Sequence, residues 1–196
     1  MRALALVVFS VVIALVVPAA ALAQAPTGGA TYAPAPPPAP AVAPTAGAIP
    51  GPQPTVPGEL ATLLPDGTAA APAAAPPQVQ KAIWAANKIQ KHPYRYGGGH
   101  AAFVSRGYDC SGTISFALNG GGMLRRPLDS SSFMRYGAAG PGRWITIYTN
   151  PGHAYIVIAG LRLDTSSAGA GGGKGPRWRA TGRPTAGYTV RHPKNF

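Results

Sequence analysis

Two residues of the sequence, Cys110 and His153, have side chains that could carry out nucleophilic chemistry. Cys110 is the only cysteine among 196 residues and lies in a Gly-Tyr-Asp-Cys-Ser-Gly run. His153 follows a glycine later in the chain, at the start of an apolar stretch. A single cysteine cannot form an internal disulfide, so it either pairs with another chain or keeps a free thiol. A free thiol together with a histidine that could act as its base predicts nucleophilic catalysis.

A third residue, Asp164, could complete a catalytic relay. The sequence predicts a strand that begins at His153, a tight turn at Gly160, and a return strand that carries Asp164. A carboxylate placed there can accept a hydrogen bond from the imidazole and fix its tautomer. Each residue also has an ordinary alternative: a lone cysteine is usually a small buried hydrophobe, and a lone His or Asp is more often structural.

The same residue types also bind metals, but their spacing does not favour a metal site. No pair has the short spacing of typical zinc ligands, so we expect no metal, and nothing in the sequence predicts a cofactor. The Gly-rich turn at 97–99 lacks the Lys and Ser/Thr of a phosphate-binding loop, which excludes nucleotide binding there. The side chains considered are His92, His100, Cys110, His153 and His192.

Helices are predicted to position the thiol. Cys110 falls in the first turn of a helix predicted over 109–118, with Asp109 as its N-cap. The N-terminal end of a helix favours a negatively charged thiolate. Apolar spacing predicts another helix over 79–91 and a short one over 128–136.

Strands are predicted after these helices. Their order, helices first and antiparallel strands afterwards, indicates an α+β domain. Gly169 to Gly175 is predicted to be a flexible loop. The predicted strands cover residues 144–148, 153–159 and 162–165, with a final pair near Trp178 and at 188–190.

The N-terminus resembles a secretory signal peptide. Arg2 precedes an uncharged apolar run over 3–17, and an Ala-Leu-Ala site ends at residue 23. The apolar run is shorter than the ~20 residues that span a bilayer. We therefore expect residues 1–23 to be cleaved, leaving a secreted protein of the bacterial cell envelope without a stable membrane anchor.

The following segment, residues 24–77, consists mainly of Ala, Pro, Gly and Thr. Such a composition predicts a disordered, semi-rigid linker. The leucines of a patch at 59–67 could form a short helix or dock on the domain; the alternative is a slightly apolar linker. Residues 78–196 have the length of one domain.

The charge is concentrated in this domain. Seventeen Lys and Arg residues oppose five Asp and Glu, for a net charge of +12, and every basic residue except Arg2 follows Gln78. A basic surface implies an anionic partner. Because export argues against nucleic acid, we expect an anionic cell-wall polymer; the alternative is a basic exported protein without a specific partner.

Three blocks of the sequence resemble the NlpC-type cysteine peptidases. They are a Pro-Tyr-x-x-Gly-Gly block at 93–98, the Asp-Cys-Ser-Gly block at 109–112, and two core strands at 142–148 and 152–158. The resemblance spans about residues 83–165. It implies a compact papain-like α+β fold in which N-terminal helices pack on an antiparallel sheet.

The family cleaves stem peptides of bacterial peptidoglycan, commonly after a D-glutamyl residue. The resemblance implies that Cys110 is the nucleophile, that His153 is the base, and that Asp164 fills the third polar position. Tyr94 matches a tyrosine that lines the site and helps to stabilise the oxyanion.

Two further residues match positions that contact the free amine of the substrate, namely Asp109 and Ser111. The sequence also departs from the family pattern. Its loop over 99–107 is longer and brings His100 near the site, where it is an alternative to Asp164, and the basic segment 169–183 has no counterpart.

We therefore expect an exported cysteine peptidase that hydrolyses peptidoglycan. Two alternatives remain open from the sequence. One is a non-catalytic wall-binding module with the same fold, and the other is an amidase or acyltransferase that uses the same Cys-His dyad.

Overall fold

The computed structural model of the chain describes residues 53–166 and 175–196. The predicted signal peptide, most of the linker and most of the loop predicted at 169–175 lie outside the described residues. Among the described helices, none is long and apolar enough to cross a membrane. The helices are α1 (Pro77–Lys88), α2 (Cys110–Gly120) and α3 (Ser130–Phe133).

The strands form one small and one large sheet. The small sheet has the order β1-β3-β2, and the large one has the order β4-β9-β5-β6-β7-β8 with every neighbouring pair antiparallel. The predicted α+β architecture is thereby confirmed. The strands are β1 (Thr55–Val56), β2 (Thr62–Leu63), β3 (Ala69–Pro72), β4 (Ala138–Ala139), β5 (Ile145–Asn150), β6 (His153–Ile158), β7 (Leu161–Asp164), β8 (Arg177–Arg179) and β9 (Thr189–His192).

The core lies between the helices and the large sheet. Helix α2 packs on α1 through one face and on β6 and β7 through another. Because α2 is buried on both sides, its first residue is held rigidly against the start of β6. Side chains that are fully buried in this core include Ile83, Ile114, Leu118, Ile156 and Leu163.

The structure differs from the predicted linker over residues 53–76, which fold onto the domain. Strand β3 is buried along its whole length and packs on α1. Its alanine side chains are small enough for the strand to lie close to the helix, and Asn87 pairs with the backbone of Ala69. Composition therefore underestimated the order of this segment, because its stability comes from close backbone approach and not from large apolar side chains.

Within the patch at 59–67 the structure has strand β2 and no helix. The patch docks through its backbone, since the Ala61 N–H donates to the Ala159 carbonyl at 2.8 Å. Leu60 remains 69% exposed. The patch is therefore held by its backbone, and the predicted docking of its leucines is not observed, since Leu63 is exposed as well.

Asn87 provides a direct test of whether residues 53–76 belong to the folded unit. Its side chain bonds the N–H and the carbonyl of Ala69 and accepts a hydrogen bond from the Trp178 indole at 2.9 Å. Asn87→Ala leaves these buried groups without partners, so it should lower the free energy of unfolding by about 2–4 kcal/mol. Urea unfolding measures this, with the exposed neighbour Lys88→Ala as the matched control. Equal stability of the two variants would contradict the packing described.

Candidate active site

The thiol of Cys110 lies at the first residue of α2. The residue is half-buried and its sulfur is free of any disulfide. Asp109 caps the helix, because its carboxylate accepts a hydrogen bond from the Gly112 N–H at 2.8 Å. The N–H groups of the first helical turn have no partners within the helix, so the Cys110 N–H can donate to a ligand.

The Gly-rich turn over 93–99 packs directly on this helix start. The Asp109 N–H donates to the Gly98 carbonyl at 3.2 Å, and the Gly97 N–H donates to the Asp109 carboxylate at 3.0 Å. A Cβ atom on Gly112 would collide with the Gly98 carbonyl oxygen. The glycines are therefore needed for close backbone approach.

His153 faces the thiol from the first position of β6. The strand start is fixed by Asn150, whose side-chain oxygen accepts the His153 N–H at 2.8 Å. The His153 Nε2 atom lies 3.0 Å from Asp164 Oδ1. Because an ionised carboxylate can only accept hydrogen bonds, Nε2 is the donor. The other ring nitrogen, Nδ1, is then free to accept a proton from the neighbouring thiol of Cys110, whose charge acts on the imidazole.

This environment changes the acidity of His153. Burial disfavours the imidazolium, but hydrogen bonds to Asp164 and Cys110 and the negative charges of both groups outweigh it and raise the pKa of His153 to about 9. At neutral pH the histidine therefore holds a proton readily. The arrangement favours an imidazolium beside the thiol.

Asp164 is buried, with 1% of its surface exposed, and is held by several donors. Ser166 donates its N–H and its hydroxyl, each at 2.9 Å, and Arg183 Nη1 donates to Oδ2 at 2.9 Å. Arg162 Nε lies 3.7 Å from Oδ2. Burial alone would raise the pKa of the carboxyl group, but the hydrogen bonds of His153 and Ser166 lower it well below its ordinary value. Asp164 is therefore an anion that orients the imidazole.

Two aromatic rings lie close to the imidazole. Tyr155 stacks on His153 and Tyr188 meets it edge-on, each with ring centroids 6.5 Å apart. The Arg183 guanidinium lies over both tyrosine rings, at 5.1 and 5.6 Å from their centroids. One arginine thus contacts both the carboxylate and the rings that surround the histidine.

A second polar cluster lies on the other side of Cys110. His100 Nε2 lies 3.0 Å from Asp109 Oδ2 and 2.9 Å from Ser111 Oγ. His100 therefore binds the two residues predicted to contact a substrate amine. It is Asp164, and not His100, that bonds His153.

Tyr94 also lies near the thiol and is 42% exposed. Burial raises the pKa of its hydroxyl, and the negative charges of Cys110 and Asp109 add to this effect. The phenol therefore stays protonated and can donate a hydrogen bond at the rim of the site.

The structure thus brings together all the residues proposed from the sequence, and it adds Arg183, Ser166, Tyr155 and Tyr188. Two signals could have indicated Arg183: the unexplained basic segment that it ends, and the need of a buried carboxylate for a positive partner. Within the described ranges, no group of three His, Cys, Asp or Glu side chains is arranged to hold a metal ion.

Among known proteins, the chain is similar to several solved structures. No family model and no curated protein matches the chain. The peptidoglycan hydrolase RipB of Mycobacterium tuberculosis is 23% identical with a TM-score of 0.45, over 61% of this chain and 66% of that one. Rv1477 of the same organism, described as a hypothetical invasion protein, is 22% identical with a TM-score of 0.44, over 60% and 62%.

A third similar structure, NlpC1 of Trichomonas vaginalis, is 15% identical with a TM-score of 0.43, over 59% of this chain and 44% of that one. This chain spans less than two thirds of each of the three proteins. At these identities and TM-scores, the chemistry of the chain has to be inferred from its own residues.

The hydrogen bond between Asp164 and His153 predicts a measurable change in the imidazole. Asp164→Asn removes the negative charge while keeping the shape of the side chain, so burial should dominate and the pKa of His153 should fall from about 9 towards or below its ordinary value. NMR titration of the imidazole measures this. As a control, Asp129→Asn removes a carboxylate that caps α3 and does not contact His153. An unchanged titration of His153 in Asp164→Asn would contradict the assignment.

Proposed function

We propose that the chain is a cysteine-type hydrolase that cleaves peptide bonds of peptidoglycan stem peptides. The observation that carries the proposal is the pairing of His153 with the buried Asp164 at 3.0 Å, beside the thiol of Cys110 at the start of α2. A nucleophile, a base and a group that orients the base are the parts that thiol hydrolysis requires.

The geometry supports a specific sequence of steps. Asp164 accepts a hydrogen bond from Nε2–H and stays ionised, so Nδ1 can take the proton of the Cys110 thiol and form a thiolate–imidazolium pair. The thiolate attacks a peptide carbonyl, and the Cys110 N–H at the start of α2, with the Tyr94 hydroxyl at the rim, would stabilise the oxyanion. The His153 imidazolium then protonates the leaving amine, and water hydrolyses the thioester.

The substrate class is inferred from two features of this chain. The motif blocks around Tyr94, Cys110 and His153 resemble those of peptidases that act on bacterial stem peptides. The net charge of +12 favours approach to an anionic wall, an attraction that salt would screen. Product identification distinguishes peptide cleavage from the amidase or acyltransferase reactions that the same dyad supports.

His100 affects how a substrate amine can enter. Since its Nε2 already contacts Asp109 and Ser111, an ammonium group reaches these oxygens only if the imidazole moves aside. The His100 side chain is 34% exposed, so solvent space is available for that movement. A substrate without a free amine would instead leave His100 in place.

The location of the reaction is also part of the proposal. Residues 1–23 have the pattern of a secretory signal peptide, and residues 24–52 have the composition of a spacer. Export would bring the hydrolase to the cell envelope, where its substrate lies.

Removal of the thiol tests the proposed reaction. Cys110→Ala removes the nucleophile, so the release of stem-peptide fragments from purified peptidoglycan should fall by roughly a thousandfold or more. Mass spectrometry of the soluble products measures the release and identifies the bond that is broken. Arg143→Ala, at an exposed residue outside the site, is prepared in the same way as a control and should keep wild-type activity. Both variants should unfold at the wild-type temperature. Undiminished release by Cys110→Ala would exclude the mechanism.

The pH dependence of hydrolysis tests the role of His153. Because its pKa lies at about 9, the imidazolium is present below that pH and is lost as pH rises through it, so activity should fall on the alkaline side near pH 9. Arg183→Gln removes a cation that competes for Asp164, so the imidazolium should be stabilised and the alkaline limb should move to higher pH.

The readout is the pH profile of kcat/KM for fragment release. Arg143→Gln is the charge-matched control, because Arg143 contacts the exposed Glu59 and the Trp144 ring and does not contact Asp164. An alkaline limb that stays in place, or moves to lower pH, in Arg183→Gln would contradict the electrostatic role of this arginine.

A further inference from the structure

A cleft with three arginines lies beside α3, away from the thiol. It has a volume of about 480 Å³, within the usual range of small-ligand sites. We call it the arginine cleft and define it by Arg125, Arg126, Leu128, Ser132, Arg135 and Tyr136, which all line it. All three arginines are exposed.

The positive charge of the arginine cleft has no partner among the described residues. The chain has five acidic side chains, and the structure describes all of them. The only one close in sequence, Asp129, accepts the Ser132 N–H at 2.7 Å as the cap of α3. The other four are engaged elsewhere: Glu59 with Arg143, Asp66 with Thr68, Asp109 with His100, and Asp164 with His153 and Arg183. No ion pair with a carboxylate is formed by Arg125, Arg126 or Arg135 within the described part of the chain, so their charges are open to an external anion.

The backbone that carries these arginines is held in place. The Leu128 N–H donates to the Ser115 hydroxyl at 3.0 Å, and that hydroxyl donates to the Leu128 carbonyl at 3.2 Å. The Tyr136 hydroxyl donates to the Met123 carbonyl at 2.8 Å, and Asn119 donates to the Leu124 carbonyl at 2.9 Å. The cleft is thus anchored on both sides, which lowers the entropy lost when a ligand binds.

We propose that the arginine cleft binds phosphate groups of a soluble polyanion. A guanidinium offers a planar fork of donors that matches phosphate oxygens, and a phosphate monoester presents three acceptor oxygens with up to two negative charges. Three guanidiniums around one cavity match this acceptor set better than they match a planar carboxylate with two oxygens.

The surroundings favour a polymer over a membrane surface. A membrane-binding face usually adds exposed apolar side chains to its basic residues. The large apolar side chains that are exposed among the described residues lie elsewhere, at Leu60, Leu63, Tyr94, Tyr96 and Val104. The charges of the cleft also surround a concave space.

Hydrogen bonds and a shared helix link the arginine cleft to the candidate active site. Ser115 belongs to α2, the helix that begins with Cys110. Ser130 of α3 donates to the Pro151 carbonyl at 3.1 Å and accepts from the Thr149 hydroxyl at 2.5 Å, next to the start of the strand that carries His153. A polyanion held in the cleft would therefore lie on the same framework as the thiol.

Calorimetric titration of the full chain with sodium tripolyphosphate, and in parallel with citrate, tests the proposal. We expect saturable binding of tripolyphosphate and weaker binding of citrate. The triple variant Arg125→Gln, Arg126→Gln, Arg135→Gln should bind tripolyphosphate roughly tenfold more weakly or worse, because three charge-assisted hydrogen bonds are lost.

Two further variants distinguish this site from general charge attraction. Lys81→Gln, Lys91→Gln, Lys194→Gln removes the same charge from exposed positions and should leave binding unchanged. Replacing the three arginines by lysine keeps the charge but removes the forks, so binding should weaken while the fold is retained. The proposal would be overturned if the Lys→Gln variant lost as much tripolyphosphate affinity as the Arg→Gln variant, or if citrate bound as tightly as tripolyphosphate. Binding only to phosphatidylglycerol vesicles would also overturn it.

Discussion

The candidate active site depends on one buried carboxylate. Asp164 is almost inaccessible to solvent, and its oxygens are shared between His153 on one side and Arg183 and Ser166 on the other. An unpaired charge at this depth would be strongly destabilising. His153 and Arg183 therefore stabilise the fold by pairing with Asp164, and Asp164 in turn orients the imidazole of His153. The orientation of the imidazole therefore follows from the need to neutralise Asp164.

The thiol is positioned by a second constraint, the contact of the Gly-rich turn with the start of α2. Backbone hydrogen bonds between the turn and residues 108–109 leave no room for a Cβ at Gly98 or Gly112. Asp109 completes the contact by capping the helix and accepting from the turn. Because α2 is packed between α1 and the sheet, this local geometry holds Cys110 opposite His153.

The sequence predicted those parts of the structure that local chemistry determines. Asp109 as a cap, the glycines of the turn and the apolar run of β6 each carry a local signal, so the helices and central strands were predicted to within a few residues. The order of β3 was missed because an alanine strand depends on side-chain bonds from Asn87, which is distant in the chain. Arg183 was missed because its contact with Asp164 is made 19 residues along the chain, and a basic, Gly-rich segment does not indicate which of its arginines reaches the carboxylate.

The most direct measurement is the rate of Cys110 alkylation by iodoacetamide as a function of pH, in the wild type and in His153→Ala. If the imidazolium held by Asp164 stabilises the thiolate, the wild type should already react rapidly at pH 6 and change little up to neutral pH. The variant lacks this imidazolium, so its reaction should be slow at pH 6 and become faster only as the pH rises into the alkaline range. The same ordinary curve for both proteins would contradict a functional pair of Cys110 and His153.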